Sequence, residues 1–446
     1  MTKYLIIGAG AAGVSAAEAI RSQDPDGEIT QICEENAGYY SRPGLAYYLT
    51  GEISEDTLFP VGQSYFERLR VHLFHSQARK IIPAEHSVIL HNGNTLAYHK
   101  LLIATGARAS LAKVPGLELE GVVKMDSIED VKRIMKHAHR RRTAVVVGGG
   151  ITALELVEGF RARGLKVFYF LRGDRYWSNV LDETESHIVE HRLKEEGIEL
   201  QYQTELAEIL GNKGKVIGVK TTDGKQIKCD IVGIAIGIQP KKALADEAGL
   251  KTERGISVNE YLNTTDTDIF AAGDVAEVYD PTIGKPILDS LWAPARRQGY
   301  TAGLNMSGRR NIYIKGVPFN VTRLAGLTTT IIGALGGREV DADVVGIVRG
   351  DSEGWRQMPE AIVTQSRFDV NRLRILVGED KLVGALLMGD QTLSRALHHF
   401  IVDQVDISPI RQKLVGQADH ISNVLADYWS KIVASPMREN YATIQP

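Results

Sequence analysis

Lys3-Tyr4-Leu5-Ile6-Ile7-Gly8-Ala9-Gly10-Ala11-Ala12-Gly13-Val14-Ser15-Ala16-Ala17-Glu18-Ala19 is the stretch whose reading decides the fold. Residues 3–7 are an apolar run rich in strand formers, and residues 14–19 have strong helix propensity. Between them lies a G-x-G-x-x-G turn. Gly8 permits the tight turn, Gly10 lets the backbone approach a pyrophosphate, and Gly13 lets the helix pack on the strand. The first N–H groups of that helix then face the phosphates, where the helix dipole favours negative charge. A second strand is predicted over 28–33 and ends at Glu34, about 20 residues past Gly13, where the fingerprint asks for a ribose-binding carboxylate.

Working outward, the pattern returns. Residues 143–147 predict a strand, Gly148-Gly149-Gly150-Ile151-Thr152-Ala153-Leu154-Glu155 a glycine turn and helix start, and 166–171 a second strand. This internal repeat of the nucleotide-binding unit suggests two dinucleotides in one chain and electron transfer between them. Between the repeats, Pro43 and Gly44 break the strand pattern, and a helical segment is expected after them. Short apolar runs over 71–103 predict a small antiparallel sheet ending in the buried strand and small-residue turn Ala104-Thr105-Gly106. Residues 230–237 predict another buried strand closing on Gly237. Residues 265–276 predict a short strand that closes on Gly273-Asp274, putting a carboxylate at the C-terminal edge of a sheet, where open α/β sheets bind ligands. A helix is expected over 291–306. From about Gly316 the pattern changes to strands over 361–365, 373–377 and 382–388 and helices over 393–404 and 421–433, a third, α+β domain.

Bulk properties narrow the function classes. A chain of 446 residues exceeds one ordinary core, so two or three domains are expected. The net charge of -3 gives no electrostatic case for nucleic acid. No apolar run reaches the length of a membrane span, and no signal peptide fits ahead of a strand that begins near Lys3. The only cysteines, Cys33 and Cys229, are placed in buried strands, with no close pair. A cytoplasmic protein without structural disulfides follows. His398 and His399 are adjacent and do not share a helix face, so no metal site is expected there. The basic run Lys132, Arg133, Lys136 and Arg140 to Arg142 reads as a solvated helix face and linker, with docking of an acidic partner as the sharper alternative.

Four ordered motifs carry a resemblance: the first fingerprint with Glu34, the Ala104-Thr105-Gly106 turn, the second fingerprint, and Gly273-Asp274. From residue 1 to about 308 the chain resembles the FAD/NAD(P)-dependent pyridine nucleotide-disulfide oxidoreductases. The resemblance implies an α/β architecture of two Rossmann-like dinucleotide-binding domains, the two-dinucleotide-binding flavoprotein fold, plus a C-terminal α+β interface domain. The expected boundaries are 1–113 with 240–315 for FAD, 114–239 for NAD(P)H, and 316–446 for the interface or dimerisation domain. It implies FAD contacts at Gly8, Gly10, Ala12, Gly13, Glu34, Glu35, Arg42, Pro43, Ala78, Ala104, Thr105, Gly106, Gly273, Asp274, Trp292 and Ala295. Asp274 would bind the ribityl chain, and Trp292, Ala295 and Gln298 would lie near the flavin ring. Arg42 would reach a phosphate or a flavin carbonyl. NAD(P)H contacts are implied at Gly148, Gly150, Ile151, Thr152, Ala153, Glu155, Arg172, Arg175 and Gly237.

The departures matter for function. Where relatives carry a redox cysteine this chain has Pro43, so thiol chemistry is not expected. Tyr40-Ser41-Arg42-Pro43-Gly44-Leu45 is similar to the Tyr-x-Arg-Pro-Pro-Leu-Ser-Lys segment of the cysteine-free ferredoxin and rubredoxin reductases and the flavoprotein part of NAD(P)H nitrite reductase. Their lysine falls at Tyr47, which leaves Glu155 free to meet the nicotinamide ribose. The acid that ends the second strand of an NAD site is replaced by Leu171, followed by Arg172-Gly173-Asp174-Arg175. This order resembles NADPH-using members, and two guanidinium groups can clamp a phosphate. The expectation is an FAD-dependent NAD(P)H oxidoreductase, NADPH favoured over NADH, acting as a homodimer on a ferredoxin- or rubredoxin-type protein. Oxygen, quinones or small electrophiles are alternative acceptors. A redox-sensing interaction protein of the apoptosis-inducing-factor type is the alternative of another class.

Overall fold

A computed structural model describes residues 1–281, 283–333, 371–416 and 421–434. The described residues form two compact units, one over Met1–Lys315 and one beginning at Gly316. The strand expected over 361–365 lies outside the described residues.

The first unit opens with β1 (Lys3–Ile7), α1 (Ala11–Gln23), β2 (Glu28–Cys33), α2 (Gly44–Thr50), α3 (Gln63–Arg68), β3 (Val71–His75), β4 (Ala78–Ile82), β5 (Ser87–Leu90), β6 (Thr95–Ala97) and β7 (Lys100–Ile103). It continues with β8 (Ala107–Ala109), β9 (Val122–Val123), α4 (Ile128–His137), β10 (Thr143–Val147), α5 (Ile151–Ala162), β11 (Lys166–Phe170), α6 (Glu183–Glu195) and β12 (Glu199–Gln201). Then come β13 (Leu206–Asn212), β14 (Lys215–Thr221), β15 (Gln226–Lys228), β16 (Ile231–Ile234), β17 (Ile238–Pro240), α7 (Ala243–Glu247), β18 (Ile256–Ser257), β19 (Ile269–Ala271), β20 (Ala276–Asp280), β21 (Lys285–Leu288) and α8 (Trp292–Met306).

Two five-stranded sheets carry the repeat. Their orders are β19-β7-β1-β2-β3 and β12-β11-β10-β16-β9. Every pair within them is parallel, with Lys3 opposite Glu28 and Thr143 opposite Lys166. Each sheet has its fingerprint strand in the centre, so its strand order reverses beside β1 and β10, where a crevice opens at the carboxyl ends. Residues 3–7 and 143–147 are apolar runs because a central parallel strand is covered on both faces. Separate cores form on the first sheet (Leu5, Ile6, Ile29, Leu102, Phe270) and the second (Val145, Phe170, Val219, Val232).

The structure corrects the sequence reading of residues 71–103. Only β4-β5-β6 is an antiparallel sheet; β3 is the parallel edge strand beside β2, and β7 runs parallel to β1. The half-buried β3 reads alike in either orientation, and its partner is chosen by the crossover through α2 and α3 rather than by its own residues. Cys229 lies between β15 and β16 rather than in a strand, although it is buried, and the strand expected over 230–237 stops at Ile234.

The second unit holds β22 (Phe319–Leu324), β23 (Leu327–Gly333), β24 (Arg372–Val377), β25 (Leu382–Met388), α9 (Ser394–Val402), α10 (Arg411–Gly416) and α11 (Ile421–Ala434). Its antiparallel sheet, ordered β22-β23-β25-β24, is packed by Leu397, Phe400, Ile401 and Leu425 of the helices, an α+β arrangement. Within it His398 stacks edge-on with Phe319, and His399 lies 3.8 Å from Asp403. Among the described residues no helix is long and apolar enough to cross a membrane, and no group of three or more His, Cys, Asp or Glu could hold a metal ion.

Candidate dinucleotide-binding sites

Two helix starts define the sites. α1 begins after Gly10 and α5 after Gly150; neither has a side-chain cap or an acid in its first turn. α4 and α6 of the same unit are closed by reciprocal capping boxes, Ser127 with Asp130 and Asp182 with Glu185. A cap contributes about 0.5–2 kcal/mol; α1, α5 and α8 lack one, and of these three α1 and α5 start at glycine turns that leave their orphan N–H groups open to a ligand. Space is kept as well: a Cβ on Gly10, Gly149 or Gly150 would meet nothing within 4 Å. Gly8 (φ +117°) and Gly148 (φ +145°) are in conformations that L side chains rarely adopt, and a Cβ there would collide with the carbonyl oxygens of Ala104 and Ala235. Residues and open space thus fit an anionic dinucleotide at each helix start.

Around the first start, distant segments converge. Gln31 Nε2 donates to Gly8 O at 2.9 Å, and Gly8 N to Ile32 O at 2.9 Å. Ala104 N donates to Ile7 O, and Thr105 Oγ1 to Lys241 O, both at 2.8 Å. Lys241 N in turn donates to Gly106 O at 2.9 Å. Glu34 stands exposed at the end of β2 and accepts from Gln77 Nε2 (2.9 Å), next to Ala78, and Lys241 Nζ (3.4 Å). Gly273 N donates to the buried Gln298 Oε1 at 2.8 Å, and a Cβ on Gly273 would lie 3.1 Å from Ala12 and 3.8 Å from Ala295. Asp274 follows, half-buried. Trp292 opens α8 with the Arg296 guanidinium 5.2 Å from its ring centre. Arg42, just before Pro43, is engaged with the Glu35 carboxylate and the Asp126 carbonyl, and Glu35 also accepts from Tyr40 Oη at 2.6 Å.

At the second start, Ile151 and Ala153 are fully buried and Thr152 Oγ1 is buried with no hydrogen-bond partner. Glu155 is half-buried on the same helix. Leu171 is buried past the end of β11, and Arg172 is exposed. Arg175 reaches Asp174 only at 3.5 Å, and its Nε is buried without a partner. Gly237 (φ +132°) turns the chain from β16 into β17, its carbonyl accepting from Ser110 N at 2.8 Å.

Sequence reasoning missed three contributors. Gly299 and Gly303 on α8 lie against the backbone of α1 at Ala12 and Ala16; their small-x-x-x-small spacing was the available signal. Lys241 reaches Glu34 from 207 positions away, with no local signal. Asp289 is 5% exposed, and burial pushes its carboxyl up to about 6, against the opposing fields of Lys315 and Arg297 and alongside Asp280 and Asp274. Lys315 itself is buried and paired with Asp280 at 3.1 Å.

The two thiols, Cys33 and Cys229, are both buried. Cys33 Sγ donates to Glu35 O at 2.9 Å, and burial pushes it above the ordinary thiol range; Cys229 is pushed up to about 12 by burial. Burial thus disfavours the thiolate, the reactive form, at both positions.

Comparison with known proteins agrees with this geometry. Residues 2–299 match the family described as pyridine nucleotide-disulphide oxidoreductase. An NADH oxidase of Methanocaldococcus jannaschii is 32% identical over 316 residues, 69% of this chain and 70% of that protein. A rubredoxin-NAD(+) reductase of Pseudomonas putida is 31% identical over 274 residues, 61% of this chain and 71% of that protein. The solved ferredoxin reductase for the CYP199A2 system from Rhodopseudomonas palustris superposes with a TM-score of 0.81 at 23% identity, over 95% of this chain and all of that one, which shows the fold. The chain therefore belongs to the pyridine nucleotide-disulphide oxidoreductase family, with the two-dinucleotide-binding flavoprotein fold, and is an NAD(P)H-dependent oxidoreductase.

Proposed function

We propose that the chain binds FAD at the α1 start and NAD(P)H at the α5 start, prefers NADPH, and delivers electrons to a small iron–sulfur or rubredoxin-type protein. The domain assignment that goes with it is FAD on 1–113 and 240–315, nicotinamide nucleotide on 114–239, and a dimerising unit from 316. When bound, the cofactors supply the redox chemistry, hydride from the nicotinamide to the flavin and then electrons onward. The chain's residues bind and orient. The uncapped N–H groups after Gly10 and Gly150 hold the two pyrophosphates. Glu34, steadied by Gln77 and Lys241, takes a ribose diol, and Asp274 the ribityl chain. Arg42, tied to Glu35 and Asp126, keeps Pro43 and the start of α2 in place. Glu155 and Thr152 face the nicotinamide side.

The observation that carries the NADPH preference is the cationic end of β11. The residue where a carboxylate would reject a 2′-phosphate is the buried Leu171, and Arg172 and Arg175 follow it. Asp174, 67% exposed beside Arg175, is the one local charge against it. The relatives' names refer to NADH and NAD(+), so the preference rests on these residues alone. A protein acceptor is supported by the reductase relatives and by two buried thiols whose thiolate forms are disfavoured. The test is anaerobic rapid mixing with NADPH and with NADH, followed by a panel of rubredoxin, ferredoxin, quinone and oxygen as acceptors. Faster flavin reduction by NADPH and turnover with a carrier protein are expected. A preference for NADH defeats the nucleotide assignment. Turnover with oxygen or quinone alone defeats the acceptor. A slow, air-stable reduced complex that changes its oligomeric state points to the redox sensor instead.

A further inference from the structure

Far from both helix starts, three helices of the first unit end around one cavity. Its lining includes Thr50 and Gly51 at the end of α2, His139 and Arg140 after α4, and Ala162 and Arg163 at the end of α5, and its volume is about 450 Å³. That is the size range of small-ligand sites. α5 has 12 residues, so the cavity lies about 18 Å along that helix from its uncapped start. It is separate from the dinucleotide sites.

The cavity is cationic. Arg163 Nε donates to Leu49 O at 2.9 Å, which anchors the side chain and leaves its terminal nitrogens for another acceptor. The Arg140 stem packs on Gly164. Lys136, Arg140, Arg141 and Arg161 are exposed, and among the described residues none of them, nor Arg163, is ion-paired to a carboxylate. Neighbouring cations show what pairing looks like here: Lys132 reaches Glu55 and Lys166 reaches Glu199, each at 2.8 Å. Glu52, next in sequence to the lining residue Gly51, accepts from Thr50 Oγ1 at 2.8 Å. In a chain of net charge -3, Arg140 and Arg163, two guanidinium groups in one concave site without a carboxylate partner among the described residues, attract compact negative charge against the partial negative charge of the three helix C-termini that end there.

We infer that this cavity binds a polyphosphate anion. Guanidinium groups match phosphate oxygens in bidentate geometry, and two of them, Arg140 and Arg163, line this cavity beside His139. The concave shape favours a small polyanion over the convex face of an acidic protein. α2 lies in the crossover between β2 and β3 of the first sheet, and α4 and α5 flank β10 of the second; α2 and α5 already touch where Leu49 packs on Gly159. An anion held by Arg140 and Arg163 of the second half sits beside Thr50 and Gly51 at the α2 end of the first, where the two halves already meet.

The test is calorimetric titration of sodium tripolyphosphate into the holoprotein at physiological ionic strength. NADP⁺ is kept saturating so that the fingerprint sites are filled. One saturable event is expected, with a rise in thermal midpoint. In the double variant His139→Gln, Arg140→Gln affinity should fall by about tenfold or more, the loss of one charge-assisted contact. The exposed Arg133→Gln, outside the cavity lining, should stay within about twofold of the parent, which controls for net charge. Undiminished binding in the folded double variant, or an equal loss in Arg133→Gln, overturns the inference. So does saturable binding of a poly-glutamate peptide with none of tripolyphosphate, which would make the surface a protein-docking face.

Discussion

At the scale of single residues, two positions make opposite demands on charge. Arg172 is exposed with no carboxylate partner, and Arg175 keeps a buried, unpartnered Nε, so a 2′-phosphate gains charge-assisted contacts worth about 1.5–3 kcal/mol each. Changing both to alanine is expected to raise the NADPH KM by about tenfold or more and leave the NADH constants nearly unmoved. Equal losses for both nucleotides would assign the arginines to the shared pyrophosphate or to the fold. Asp289 is the reverse case, a carboxyl whose ionised form is disfavoured. Its folded value, about 6, lies above the ordinary 3.8, so the folded state binds more protons between those values. Stability from this group is full below about pH 4 and is lost as the pH rises through about 6. A shift of this size corresponds to about 3 kcal/mol. Asp289→Asn, which keeps the shape without the charge, should therefore gain on the parent by up to that amount between pH 4 and 7 in denaturant unfolding. A difference between the two proteins that does not change with pH would contradict it.

At the scale of elements, α1 and α8 form the close helix pair that the FAD-side site is built on. The approach is possible because Gly299 and Gly303 place bare backbone against Ala12 and Ala16, the turns just inside the α1 start. A side chain at 299 must push α1 away, and α1 carries the uncapped N–H groups. Gly299→Val is expected to cost about 1–3 kcal/mol as an overpacking substitution, beyond the intrinsic helix cost of valine. It should also weaken FAD retention, measured as flavin released on dilution. Loss of stability with flavin affinity unchanged would show that the helix start does not depend on this packing.

At the scale of the molecule, the first unit keeps the uncapped N–H groups at the glycine-turn starts of α1 and α5, and its stability should depend on what fills them. A ligand that binds only the folded state stabilises it by about 2.7 kcal/mol at a hundredfold excess over its Kd. Stripping the flavin is expected to lower the thermal midpoint of the transition that reports on residues 1–315, and re-adding FAD to restore it. FMN, lacking the adenosine diphosphate half proposed to meet Gly10 and Glu34, should restore little. Full recovery with FMN would remove FAD from the assignment.

Much of this protein is determined by sequence alone, for a local reason. Strand, glycine turn and helix lie within about 20 residues at both Gly8 and Gly148, and the turn's steric demands are met by the glycines themselves, so fold class and the two glycine-turn helix starts are legible. Boundaries at Lys3–Ile7, Glu28–Cys33 and Thr143–Val147 coincide with the expected ones, since each run is bounded by residues that end it. What only the tertiary structure decided depends on partners far along the chain. The parallel placement of β3 and β7 follows from crossovers. Lys241 meets Glu34, and Gly299 meets Ala12, across separations that no window spans. The burial that lifts Asp289 is a property of its surroundings and not of its side chain. The same holds for the cationic cavity: residues 140–142 read locally as a solvated linker, and only the meeting of three helix ends turns Arg140 and Arg163 into one site.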